Sequence, residues 1–261
     1  MGHIRLGELP RTRKWKQVVG WIEGGAGTEQ LATATINAAE RSFDVAAKDK
    51  GLVETVWLLA QLPLAAQSED FARGLRHVGV QVSDAPSLLE VVAGVTEAID
   101  QTLPNNCGRS DMGEMAQMAA AETLTEVIGS RTHGLFETTT ADVQKAFAQL
   151  GTVKRFGEFC RKFFARLSER CMNFFLSRAM SYHVGEGQRF ATLAEQSTFC
   201  KAMATHCHEA ARIVEHFCGE WFSKHNWERG GISRKYTAGF THVAMQKLVR
   251  EFKEGARADG Q

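Results

Sequence analysis

Between positions 200 and 218 the chain carries Cys200, His206, Cys207, His208, His216 and Cys218, six side chains of the types that hold zinc. Their spacing argues against a shared ion. Read as one helix over 192–222, Cys200, Cys207 and Cys218 fall on an apolar face with Met203, Ala211, Val214 and Trp221, while His206 and His208 diverge from each other around the axis. At 1.5 Å rise per residue, Cys207 and Cys218 stand about 16 Å apart, beyond the reach of one ion. The cysteines therefore read as reduced, buried thiols of a core, and neither a metal nor a cofactor is expected.

A second group lies on the longest periodic segment, residues 153–184. Arg170 and Arg178 fall within or beside its apolar stripe, and His183 follows at its end. Buried guanidinium groups need partners. One reading is an anion pocket of Arg170, Arg178 and His183 for a carboxylate or phosphate. The other is an internal ion pair with Glu114 or Glu122 of the helix expected over 110–128. The Gly185-Glu186-Gly187 turn beside His183 lacks the strand that precedes a dinucleotide loop.

A third group is cationic. Arg155, Arg161, Lys162 and Arg166 occupy the polar side of the same helix, and Arg11, Arg13, Lys14 and Trp15 form a basic segment with an aromatic ring. Cations suit a phosphate backbone and a ring suits an unstacked base, so both sets are candidate contacts for nucleic acid or an acidic partner protein. If the face is solvated, reversing Arg161, Lys162 and Arg166 leaves folding intact, because exposed charges stabilise little. Gly-x-Ser-x-Gly, the Walker phosphate loop, His-Glu-x-x-His and Cys-x-x-Cys are all missing.

The elements that must position these groups are helical. In residues 153–184, Phe156, Phe159, Cys160, Phe163, Phe164, Leu167, Cys171, Phe174 and Phe175 recur on one side at about 100° per residue. Further helices are expected over 11–23, 28–47, 51–67, 68–78, 87–103, 110–128, 141–150 and 234–253, delimited by Gly24-Gly25, Gly79, the turn at 104–108 and Gly230-Gly231. Ser87 and Glu90 have the spacing of a capping box, and Pro63 should kink or end its helix. With four prolines in 261 residues and few alternating β-branched runs, the expected fold is an all-α bundle of about eight to ten helices. An N-terminal half, 1–129, and a C-terminal half, 130–261, are the candidate domains, unless the two form one continuous unit.

Charge divides the chain more sharply than sequence pattern does. Residues 1–16 hold five basic and one acidic residue, 17–152 hold eight and eighteen, and 153–261 hold eighteen and eleven. Opposite halves of this kind either attract each other or present an anionic partner with a basic surface. The longest apolar run, 52–66, includes Glu54, Gln61 and Pro63 and is too short to span a bilayer, so no membrane contact is expected. These readings lead to a cytoplasmic, prokaryotic, non-catalytic accessory or scaffold subunit that binds another protein subunit, with nucleic acid as a further partner. A protein that binds an anionic small molecule, and an enzyme without a recognisable motif, are the alternatives.

Overall fold

A computed structural model describes residues 12–102, 110–132, 138–228 and 231–258. Arg11, the turn read at 104–108 and the side chain of Arg178 lie outside the described residues. Eleven α-helices are found there: α1 (Arg13–Glu23), α2 (Thr28–Ala46), α3 (Lys50–Ala65), α4 (Phe71–His77), α5 (Leu88–Thr102), α6 (Asp111–Thr132), α7 (Thr140–Ala148), α8 (Val153–Met180), α9 (Leu193–Ala210), α10 (Arg212–Glu228) and α11 (Arg234–Ala258). Short 3-10 turns flank α8 at Gln149–Gly151 and Ser181–His183. A single parallel bridge joins Val184 to Phe190. The fold is all-α, as the periodicity requires.

α8 is the axis of the structure. Thr152 caps it by accepting from the Arg155 amide at 3.3 Å. Phe156, Phe159, Cys160, Phe163, Phe164, Leu167, Cys171 and Phe175 are buried along it, against α2, α6, α9 and α10. The antiparallel contact with α10 is the closest, because neither helix carries a side chain at the crossing. A Cβ at Gly157 would stand 2.5 Å from the Glu215 carbonyl oxygen, and one at Gly219 would overlap the Val153 carbonyl. Phe156 and Phe222 stack at 4.0 Å beside this seam.

α3 forms a second centre, buried nearly all round as its apolar sequence predicts. Pro63 does not end it; the helix runs two residues further, to Ala65. Its entry packs on α6 at Gly51 and Gly113, where a Cβ on Gly51 would stand 2.8 Å from the Gly113 Cα. Since α3 also packs on α11, and α6 on α8, residues from 1–129 and 130–261 contribute to one core cluster.

Two local readings change. The segment read as one helix over 192–222 breaks at Ala211 into α9 and α10, which raises the helix count to eleven. The Ser87–Glu90 box is only half formed: Ser87 Oγ accepts from the Glu90 amide at 3.2 Å, but the Glu90 carboxylate turns to Ser83, accepting from its amide and hydroxyl. It thereby ties the loop before α5 to the first turn of that helix.

The apolar sheath of α3 has one charged interruption that sequence pattern does not explain. Glu54 is 5% exposed and accepts two hydrogen bonds of 2.7 Å from Nε and Nη2 of Arg234, the first residue of α11. The guanidinium also lies 3.6 Å from the Trp57 ring centroid, and Trp57 Nε1 donates to the Ile232 carbonyl at 2.8 Å. This clamp fixes the start of α11 on α3. Arg234→Ala should lower stability by about 3 kcal/mol, the low end for removing one partner of a buried pair because Arg234 itself is half exposed. Adding Glu54→Leu should recover most of the loss, and a double-mutant cycle in urea checks both values.

Candidate functional site

The charged side of α8 faces other helices rather than solvent alone. Lys162 Nζ lies 2.5 Å from Glu126 Oε1, Arg166 pairs with both Glu122 and Glu126, and Arg170 pairs with Glu122. Lys162 and the Arg166 hydrogen bond hold the Glu126 carboxyl below its ordinary range, against the opposing effect of burial. Glu122 and Glu126 of α6 thus offset Lys162, Arg166 and Arg170 of α8, which accounts for part of the opposed regional charge.

Arg161 has a different task. Its side chain is 17% exposed; Nε donates to the His208 carbonyl at 3.2 Å, Nη1 to Glu215 at 3.2 Å and Nη2 to Glu209 at 3.3 Å. His208 supplies one of the last four carbonyls of α9, which the helix itself cannot satisfy. Glu209 and Glu215 lie on either side of the break at Ala211, so one guanidinium fastens the end of α9 to the start of α10.

The remaining sequence candidates are dispersed. Arg170 lies ten residues, about 15 Å of helix, before the end of α8, whereas His183 closes the following 3-10 turn and its carbonyl accepts from the Phe190 amide. Arg170 and His183 are not brought together. Arg13 is exposed; Lys14 donates to the Asn37 carbonyl and sits 4.0 Å from Glu40. Trp15 is buried with its ring centroid 6.5 Å from that of Phe175, so the ring read as a base-stacking platform serves the core. Arg155 is exposed and donates to Gln149.

The cysteine and histidine cluster also separates. Cys207 and Cys218 are fully buried on different helices, Cys218 within hydrogen-bonding reach of Cys160. Burial pushes the Cys171 thiol up to about 12 and raises Cys207 and Cys218 strongly as well. Thiols so placed are poor nucleophiles. Among the described residues, no three His, Cys, Asp or Glu side chains converge as ion ligands would.

What the break at Ala211 creates instead is a groove. It lies between α9, α10 and α11, with Glu29 of α2 also on its lining, and has a volume of about 770 Å³. Ala210, Ile213 and Phe217 give it an apolar floor, with Ile213 40% exposed. Glu29, Glu209, Glu220 and Glu251 supply four carboxylates around it, against the two permanent cations Arg212 and Lys247. Arg212 reaches Glu209 at 2.6 Å, His216 reaches Glu220 at 3.0 Å, and Lys247 lies 5.4 Å from the Phe217 ring centroid.

His206 stands at the inner wall, 16% exposed. Its Nδ1 is 4.0 Å from Glu29, its ring meets the edge of Phe252 at 5.4 Å, and its Nε2 is buried without a hydrogen-bond partner in the structure. Burial holds the His206 imidazole below its ordinary range, and burial followed by the Arg161 charge does the same for His208. The unfolded chain therefore binds more protons than the folded one as pH falls below about 6.5, and folding weakens on that side. Glu126 and Glu40 are lowered in the folded state, so their contribution is present above about 4.5 and disappears as pH falls further. Urea midpoints should accordingly be highest between about pH 7.5 and 8.5, fall in two stages below that range, and fall again above it as the unfolded chain ionises thiols that burial keeps protonated in the fold. Each histidine contributes a slope of at most about 1.4 kcal/mol per pH unit, and His206→Gln should flatten only the upper stage.

The groove is not legible as a site in the sequence, because its lining is drawn from four helices. The only local signal was the dense His and Glu content of 206–220, which metal-ligand spacing alone does not capture. Fold and site together define an all-α protein with an acid-rimmed, apolar-floored groove at a helix break. No protein family, curated protein or solved structure matches the chain.

Proposed function

We propose that the protein is a non-catalytic helical scaffold subunit, acting in the cytoplasm, whose groove between α9, α10 and α11 receives a basic, partly apolar segment of a partner protein. The observation that carries this reading is the combination of an open apolar floor at Ile213 and Phe217 with four carboxylates against two cations. An amphipathic helix laid in such a groove buries its apolar face while its lysines and arginines meet the rim. Reduced, buried thiols suit a reducing compartment, and no described helix is long and apolar enough to cross a bilayer. The nucleic-acid part of the sequence expectation finds less support. Three of the four α8 cations that motivated it, Arg161, Lys162 and Arg166, already hold carboxylates, and phosphates binding there would have to displace them.

Fluorescence anisotropy with a labelled amphipathic Lys/Leu peptide tests the reading. Binding should weaken with salt, and Glu220→Gln with Glu251→Gln should raise Kd about fivefold, as for two rim pairs of about 0.2–1 kcal/mol each. A labelled single-stranded oligonucleotide should not bind at about 0.15 M salt. Peptide affinity indifferent to both substitutions would refute the assignment.

A further inference from the structure

The opposite flank of α11 forms a second cleft, against α2, with a volume of about 310 Å³. Its floor is Phe43, Ala47, Met245 and Val249, and three of these also line the enclosed void beneath it, so the cleft opens directly over the core. The rim is unlike that of the acidic groove. Asp44 projects from α2 and Arg250 from α11, both exposed, and they bring opposite charges to the two walls.

Other charges at the rim are already engaged: Lys253 lies 2.5 Å from Glu40, and Glu254 accepts from Arg250 Nε at 2.7 Å. That bond uses only Nε, and the two terminal amino groups of Arg250 make no hydrogen bond to a carboxylate among the described residues, although the Glu254 and Glu251 charges act on the guanidinium. Asp44 likewise has no cation paired with it there. A carboxylate acceptor, a guanidinium with donors to spare and an apolar floor are complementary to one kind of small molecule, an amine and a carboxylate on an apolar body.

We infer that the α2–α11 cleft binds a zwitterion with an apolar body, in the class of large apolar amino acids and their dipeptides. The ammonium faces Asp44, the carboxylate faces Arg250, and the side chain rests on Phe43, Met245 and Val249. At about 310 Å³ the cleft lies at the small end of ligand sites, which suits one or two residues rather than a longer peptide. The inference is independent of the groove on the other flank of α11.

Isothermal titration of the full chain with leucine and with leucyl-leucine provides the test, the two arms separating amino acid from dipeptide. Saturable binding of either is expected. N-acetyl-leucine amide, which keeps the apolar body and lacks both charges, should bind at least about tenfold more weakly, since both pairs are lost. Asp44→Asn and Arg250→Gln should each weaken the charged ligand about threefold to fivefold, as for one solvent-exposed pair. Because both side chains are exposed, folding should persist, and circular dichroism melts confirm it. Gln246→Trp, at an exposed rim position, should block the mouth and abolish binding. No saturable binding of either ligand up to about 10 mM would overturn the inference, since a specific site should register well below that. Equal affinity for the uncharged analogue, or binding unaffected by Gln246→Trp, would overturn it as well.

Discussion

Reversal of Arg161, Lys162 and Arg166 to glutamate together should cost about 5 kcal/mol or more, enough to remove much of the stability of an ordinary domain. The sequence alone predicts the reverse, a tolerated change on a solvated face. The structure places Glu122 and Glu126 against Lys162 and Arg166, and Glu209 and Glu215 against Arg161. Reversal therefore loses every one of these attractions and sets three new carboxylates among four existing ones, where like-charge contact costs several kcal/mol. The Arg161 position should dominate, since it is the most buried of the three and also satisfies the α9 terminus. Urea denaturation followed by circular dichroism measures the loss. Reversing Glu122, Glu126, Glu209 and Glu215 to lysine in the same chain should restore part of it. A triple mutant that unfolds at the wild-type midpoint would mean that these carboxylates do not face α8.

Truncation of Phe163 to alanine should cost about 3–5 kcal/mol, as for a fully buried aromatic that leaves a cavity. Phe163 is 1% exposed and meets Phe164 edge-to-face at 5.1 Å, in the middle of the longest helix. Neighbours on α8 cannot collapse into the space, because the Gly157 and Gly219 crossing already holds the α8 and α10 backbones at contact. The denaturant midpoint should fall with little change in slope. A loss below about 0.5 kcal/mol, the range of a surface substitution, would contradict the burial of this face.

Helical periodicity made the Phe stripe of α8 legible, because it rests on spacing within one segment. The same logic fails at Ala211. No proline or glycine marks that break; it is held by Arg161, fifty positions earlier, and by the glutamates on either side. Pairing was visible only as a possibility. Glu122 stood among the carboxylates that Arg170 was expected to meet, but nothing in the chain indicated that Glu122 would also take Arg166. Glu54 shows the limit from the other side: a lone acid in an apolar helix signals a partner, yet Arg234 lies 180 residues away. The groove was invisible for the same reason, since Glu29, His206, Ile213 and Glu251 become neighbours only when α2, α9, α10 and α11 are assembled.

If the rim charge of the groove selects a basic segment, as proposed, a charge swap at the rim should invert the preference. Glu220 and Glu251 are replaced together by lysine, and the variant is titrated with two labelled peptides of identical apolar pattern, one with lysines and one with glutamates on the polar face. The wild-type protein should bind the lysine peptide and not the glutamate peptide, and the variant should reverse that order. If both proteins prefer the same peptide, the groove does not read charge, and the proposed partner class is wrong.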